Sequence, residues 1–237
     1  MHQLIQTTHP EWQPILNTAL NCVDTAYLTQ LEQQTAWLPG REKMFAAFSE
    51  PLHNLRYVLL GESPYPRAQS ANGYAFWDDA VHNIWSNTGL SKEVNRATSL
   101  RNFIKMLLVA RGDLVVDKSQ NAIAALDKAH FWQTASQLFH ALLHNGFLLL
   151  NASLVYEENN IRFHARNWQP FVTSIFTQLL AREKSVQLLL FGRIAAEVPE
   201  ASDFTCLIAP HPYNLSFITN PDVLAFFKPL DLLSRHD

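Results

Sequence analysis

Four short apolar runs, each stopped by a turn-forming or amide residue, set the tightest limit on what this chain can fold into. Tyr57-Val58-Leu59-Leu60 ends at Gly61 and Phe147-Leu148-Leu149-Leu150 at Asn151. Leu188-Leu189-Leu190-Phe191 ends at Gly192 and Cys206-Leu207-Ile208-Ala209 at Pro210. Continuous apolar runs of this length fit strands covered on both faces. Between them lie amphipathic stretches at Ser99–Ala110, Phe131–His144 and Trp168–Glu183. In the first, Leu100, Phe103, Ile104, Leu107 and Leu108 recur at helical spacing, and Thr98 and Ser99 carry hydroxyls suited to capping it. Trp12, Ile15, Leu16 and Leu20 form a similar stripe, so residues 1 to about 50 read as a helical part. Strands alternating with helices predict one α/β domain over residues 1–237, three-layer α/β/α with a central four-stranded, mostly parallel sheet.

Composition removes several classes. A chain of 237 residues, 48% hydrophobic and 16% charged, can bury one large core and is not disordered. The net charge of −3 lacks the general basic excess common in nucleic-acid binders, so phosphate contacts would rest on a local rim or on backbone amides. Cys22 and Cys206 each adjoin an apolar residue and read as reduced, buried thiols of a cytoplasmic protein. Two thiols cannot hold an iron–sulfur cluster, and the histidines show no metal-ligand spacing, so no metal and no cofactor is expected. No apolar run approaches the roughly 20 residues that span a bilayer. The chain reads as a soluble monomer.

In open α/β sheets, ligands bind beyond the carboxyl ends of the strands. Each run here is followed at once by polar or turn chemistry. Gly61-Glu62-Ser63-Pro64-Tyr65-Pro66 follows the first, with Gly73-Tyr74-Ala75-Phe76 soon after. Asn151-Ala152-Ser153 follows the second, Gly192-Arg193 the third, and His211-Pro212-Tyr213-Asn214-Leu215-Ser216 the fourth. Taken singly, each has an ordinary explanation. Asn151 is then a loop staple, His211 a structural histidine, Phe76 and Leu215 core, and Tyr65 a packed turn residue.

Taken together and in this order, the segments resemble the family 1 uracil-DNA glycosylases. That family's GQDPYH reads GESPYP here, its GLCF-like segment GYAF, its LLLN is kept at 148–151, and its HPSPLS loop reads HPYNLS. The resemblance runs from about Leu38 to the C-terminus and includes Asn167-Trp168-Gln169-Pro170-Phe171 in place of GW-x-x-F. It implies that Asn151 pairs with the edge of an extruded uracil, that Phe76 stacks on the base, and that Tyr65 excludes the thymine methyl. It implies that His211 hydrogen-bonds the O2 oxygen as the glycosidic bond breaks, and that Leu215 enters the base stack. Ser99, Tyr213 and Ser216 fall at the expected DNA-facing positions, as does Arg193, which replaces the family's small Ser after the third-strand Gly and there could pair with a phosphate or block the duplex.

Departures accompany these matches. Ser63 stands where the family carries the Asp that activates water, and Pro66 replaces the motif's His. Glu62 replaces Gln and brings an acid beside the site; Asp78 and Asp79 are further candidates for the missing base. Asn95-Arg96-Ala97-Thr98 stands where the family has a proline-rich segment, and Tyr213-Asn214 replaces Ser-Pro. Two expectations follow. One is a DNA glycosylase of base-excision repair that releases uracil or another deaminated base, slowed by Ser63. The other is a catalytically inactive relative that binds DNA, a base or a protein partner.

Overall fold

The computed structural model describes residues 1–34, 36–182, 185–196 and 198–235. Its centre is a sheet of β1 (Tyr57–Gly61), β4 (Phe147–Asn151), β5 (Gln187–Phe191) and β6 (Thr205–Ala209) in the order β4-β1-β5-β6. All three pairings are parallel. A short antiparallel pair, β2 (Trp85–Ser86) and β3 (Gly89–Leu90), lies outside this sheet. The helices are α1 (Gln13–Leu20), α2 (Thr25–Gln33), α3 (Lys92–Arg96), α4 (Thr98–Arg111), α5 (Gln120–Ala124), α6 (Ala135–His144), α7 (Ile161–Leu180) and α8 (Pro221–Phe227). Short 3-10 turns fill much of the N-terminal part beside α1 and α2.

Strand alternation divides the core in two. Val58 and Leu60 of β1, Leu148 and Leu150 of β4, and Leu188 and Leu190 of β5 pack with α1, α2 and α7. Leu59, Leu149, Leu189 and Phe191 point the other way, onto α4, α6 and α8. This is the expected α/β/α layering. The order places β1 between β4 and β5, so the chain crosses over β1 on its way from β4 to β5, and a crevice opens beyond the strand ends there.

Several boundaries differ from the sequence reading, each for a local reason. Ala97, not Thr98 or Ser99, is the N-cap of α4, and no side chain caps it; both hydroxyl residues lie inside the first turn. Phe131 precedes its helix, because Thr134 forms a capping box with Gln137 that starts α6 at Ala135. The third helix begins at Ile161 rather than Trp168. Exposed Pro170 sits inside it. The buried stripe reaches back to His164, whose two ring nitrogens meet Tyr27 Oη at 2.8 Å and Glu157 Oε2 at 3.1 Å. That helix ends at Leu180, and Glu183 lies outside the described residues.

β6 is an edge strand and is not covered on both faces: Ile208 is 59% exposed. The cysteines are not both buried either. Cys22 is exposed beyond the end of α1, and Cys206 is half-buried, its thiol pushed up in pKa by burial. Neither forms a disulfide. No helix among the described residues is long and apolar enough to cross a membrane.

Candidate active site

A cavity of about 550 Å³ opens where the carboxyl ends of the strands meet. Glu62, Ser63 and Tyr65 line it from the segment after β1, Phe76 from the loop that follows, and Asn151 from the last position of β4. Arg193 reaches it after β5, His211 and Tyr213 after β6, and Ser99 from the start of α4. Nine of the thirteen candidate site residues therefore share one cavity. Leu215 and Ser216 do not line it; both are exposed on the adjoining loop, Leu215 at 71%.

Asn151 pairs in register with Gly61, the last residue of β1. The residue is 2% exposed, yet its Nδ2 has no hydrogen-bond partner among the described residues. Leaving a buried amide donor unpaired costs about 1–3 kcal/mol. Gly61 makes room for this side chain, since a Cβ there would stand 2.7 Å from Asn151 Oδ1 and 2.9 Å from the Ala75 methyl.

Phe76 adopts φ +64°, a left-handed conformation that costs a bulky L-residue about 1–3 kcal/mol. Its surroundings hold it there. The neighbouring Ala75 N–H donates to Leu149 O of β4 at 3.0 Å, and the Tyr65 hydroxyl donates to Phe76 O at 3.2 Å. Burial, with the Asp78 carboxylate adding to it, holds the Tyr65 phenol far above its ordinary pKa, so it stays a donor. The Phe76 ring lies roughly parallel to His211, with centroids 5.8 Å apart, and edge-on to Phe191.

His211 is half-buried, and burial lowers its pKa; the Glu62 carboxylate opposes this more weakly. Its Nδ1 accepts the Tyr213 backbone N–H at 3.1 Å. An acceptor nitrogen carries no proton, so the neutral ring holds its hydrogen on Nε2. Gly192, at φ +82°, permits the close approach: a Cβ there would meet His211 Cβ at 2.9 Å.

Glu62 is exposed and is the one carboxylate lining the cavity among the described residues. Ser63 is half-buried, and its hydroxyl makes no hydrogen bond among the described residues. The other candidate acids are elsewhere. Buried Asp78 pairs with Arg67 at 3.1 Å and accepts the Ala80 N–H at 3.0 Å, while Asp79 lies 3.8 Å from Lys43. Neither lines the cavity. Arg193 and Tyr213 are exposed at the rim, the tyrosine at 66%. Among the described residues, no group of three His, Cys, Asp or Glu side chains is placed to hold a metal.

Tyr156 also lines the cavity, and sequence reasoning passed it over. Its backbone exchanges two 2.9 Å hydrogen bonds with Leu38, a contact between distant segments that no local pattern announces. Asn102 was missed as well. It is a fully buried amide on α4 whose Nδ2 donates to the carbonyls of Pro212 at 2.7 Å and Tyr213 at 3.3 Å. A polar residue in an otherwise apolar helical face was the available signal.

No family model matches the sequence. Individual relatives do. The chain is 30% identical over 183 residues to the uracil-DNA glycosylase of Aliivibrio salmonicida, covering 75% of this chain and 69% of that protein. It is 23% identical over 213 residues to the uracil-DNA glycosylase of Corynebacterium efficiens, covering 88% and 78%. The crystal structure of wild-type UNG from Nitratifractor salsuginis superposes with a TM-score of 0.94 at 41% identity, covering 99% of this chain and 96% of that one. Mimivirus uracil-DNA glycosylase, at 18% identity and a TM-score of 0.58 over 88% and 71% of the two chains, shares the fold. The chain therefore belongs to the uracil-DNA glycosylase family.

Proposed function

We propose that this protein is a DNA N-glycosylase that releases uracil from DNA in base-excision repair, and that Ser63 makes it a slow one. The observation that carries this reading is the buried Nδ2 of Asn151 in the cavity wall, which has no hydrogen-bond partner among the described residues. A pyrimidine with an N3–H donor and an O4 acceptor satisfies both atoms of that amide at once. Phe76 offers the base an aromatic face, and Tyr65 closes the side where thymine carries its methyl. Arg193 and Tyr213 receive the DNA at the rim, with Leu215 and Ser216 on the exposed loop beside them and Ser99 at the start of α4. These contacts make uracil-containing DNA the partner.

Chemistry follows from the histidine. Water attacks C1′ of the deoxyribose, the bond from C1′ to the base breaks, and negative charge gathers on the leaving uracil. The Nε2–H of neutral His211 donates to O2 and stabilises that charge before any proton moves. Ser63 orients the water but takes no proton at neutral pH. Glu62, the cavity's carboxylate, is the group available to receive it. Solvent exposure leaves this carboxylate less firmly placed than a buried base, so a reduced rate is expected.

Single-turnover incubation with a uracil-containing oligonucleotide tests the reading. Base release by wild type, lost in Asn151→Ala and His211→Gln, is the expected result. The absence of acid over Ser63 favours one competing reading, a protein that binds without cleaving. Tight, salt-sensitive binding of uracil-containing DNA with no base released by excess enzyme would establish that reading instead.

A further inference from the structure

We infer that Asn102 is a positioning residue for His211, acting through the single peptide group that joins Pro212 to Tyr213. The inference rests on the glycosylase reading for its catalytic meaning, though not for its geometry. Asn102 Nδ2 donates to Pro212 O at 2.7 Å, and the Tyr213 N–H donates to His211 Nδ1 at 3.1 Å. That carbonyl and that N–H belong to one planar peptide unit, so fixing the oxygen fixes the direction in which the N–H points. The amide thus determines which imidazole nitrogen is the acceptor and which presents a hydrogen to the cavity.

Three features make the clamp specific. Asn102 is fully buried, and its amide has a defined orientation: Nδ2 faces two carbonyls, Pro212 O and Tyr213 O at 3.3 Å, while Oδ1 accepts weakly from Arg101 Nε at 3.4 Å. Turning the amide over would set oxygen against oxygen. The helix beneath it is tied to the same loop, since Phe103 of α4 stacks on Phe217 with centroids 6.3 Å apart. Finally, hydrogen bonds in series polarise one another, so a peptide whose carbonyl is already engaged is a better N–H donor to Nδ1. Ser99, one turn earlier on α4, lines the cavity that His211 lines, so one helix carries both a wall and the clamp.

The charged groups around His211 are few. Glu62 and Arg193 line the same cavity, Phe76 and Gly192 are its uncharged neighbours, and Arg101 stands beside the clamp. Asn102→Leu keeps the volume and removes the donor; of these groups it disturbs Arg101 alone, whose Nε loses its long contact with Oδ1.

The test is nitrogen-15 NMR on the full chain labelled at histidine, with His211→Gln used to assign the signal. Wild type should show Nδ1 unprotonated and Nε2 carrying the hydrogen. In Asn102→Leu the ratio of the two tautomers should shift roughly two- to tenfold toward Nδ1–H, the change expected on weakening one hydrogen bond. The midpoint of the His211 titration should rise toward the ordinary imidazole value. Single-turnover kcat should fall with KM nearly unchanged, because only the transition-state contact is disturbed. Should the leucine variant fail to fold, Asn102→Ala removes the same donor with no added bulk and gives the same readout. A folded variant with unchanged tautomer ratio and titration overturns the inference, as does a wild-type ring protonated mainly on Nδ1. The NMR measurement needs no substrate, so its result stands apart from whether DNA is cleaved.

Discussion

The hydrogen that Gly61 carries in place of a side chain is what lets the Asn151 amide lie across the end of β1. A methyl at that point would stand 2.7 Å from Oδ1, inside any real contact distance, with the Ala75 methyl at 2.9 Å on its other side. Gly61→Ala is therefore expected to push the Asn151 amide out of place while leaving the sheet intact, since the pairing of β1 with β4 is made by the backbone. Base release should fall about 10²-fold, as misplacing a positioning group by about an ångström does. Circular dichroism and single-turnover kinetics on one preparation check both halves, and undiminished base release would show that the amide is not the reader of the base.

Asn151→Leu should separate stability from function in opposite directions. Asn151 Nδ2 has no protein partner among the described residues, so replacing it with an apolar side chain of similar size breaks no hydrogen bond within the fold. Thermal unfolding should occur at the wild-type temperature or higher, while uracil release is lost. A substantial drop in Tm would mean that the amide has a structural partner and that the pocket is not poised for a ligand.

The four strands were legible because each carries an apolar run of four residues followed by a residue that breaks the pattern, as Phe147–Asn151 shows. Their shared cavity was legible only through the order of the motifs, since nothing in the Gly61–Pro66 segment alone says that it meets His211. Other features were hidden for physical reasons. The α7 start at Ile161 depends on His164, whose burial is stabilised by Tyr27, a residue 137 positions away. Tyr156 reaches the cavity through backbone pairing with Leu38, and Asn102 through two carbonyls of a distant loop. Local periodicity records what a segment buries, and it carries no trace of which remote polar group makes that burial tolerable.

Glu62 and His211 give a pH prediction whose sign can be fixed. Burial lowers the His211 pKa and Glu62 raises it by a smaller amount. Only the neutral ring both accepts at Nδ1 and donates at Nε2, so the rate should fall on the acid side with a midpoint below the ordinary value of about 6.5. Glu62→Gln removes the charge that favours the imidazolium, and that limb should move to lower pH. The plateau rate of the same variant reports separately whether the carboxylate takes the water's proton. Stability obeys the same linkage: the folded pKa lies below the unfolded one, so the contribution is intact above about 6.5 and is lost as pH falls through the folded value. Denaturation midpoints measured across this range should show the loss in wild type and less of it in His211→Gln. An acid limb that moves upward in Glu62→Gln would contradict the assignment.

Ser63→Asp tests whether the cavity lacks only a base. The hydroxyl of Ser63 is half-buried at the cavity wall and free of hydrogen bonds among the described residues, so a carboxylate placed there would not break an existing contact. General-base catalysis contributes roughly 10²–10⁴ in rate, and a gain in that range is expected if Asn151, Phe76 and His211 are already correctly set. The new carboxyl would stand next to the Glu62 carboxylate, and a like charge nearby disfavours ionisation of the introduced Asp. The gain should therefore grow with pH, and Ser63→Asp combined with Glu62→Gln should show it at lower pH than Ser63→Asp alone. Single-turnover rates on a uracil-containing oligonucleotide across a pH series measure this directly. A folded Ser63→Asp variant that still binds uracil-containing DNA but releases base no faster than wild type would place the rate deficit elsewhere, in the geometry around Pro66 and the rim loops.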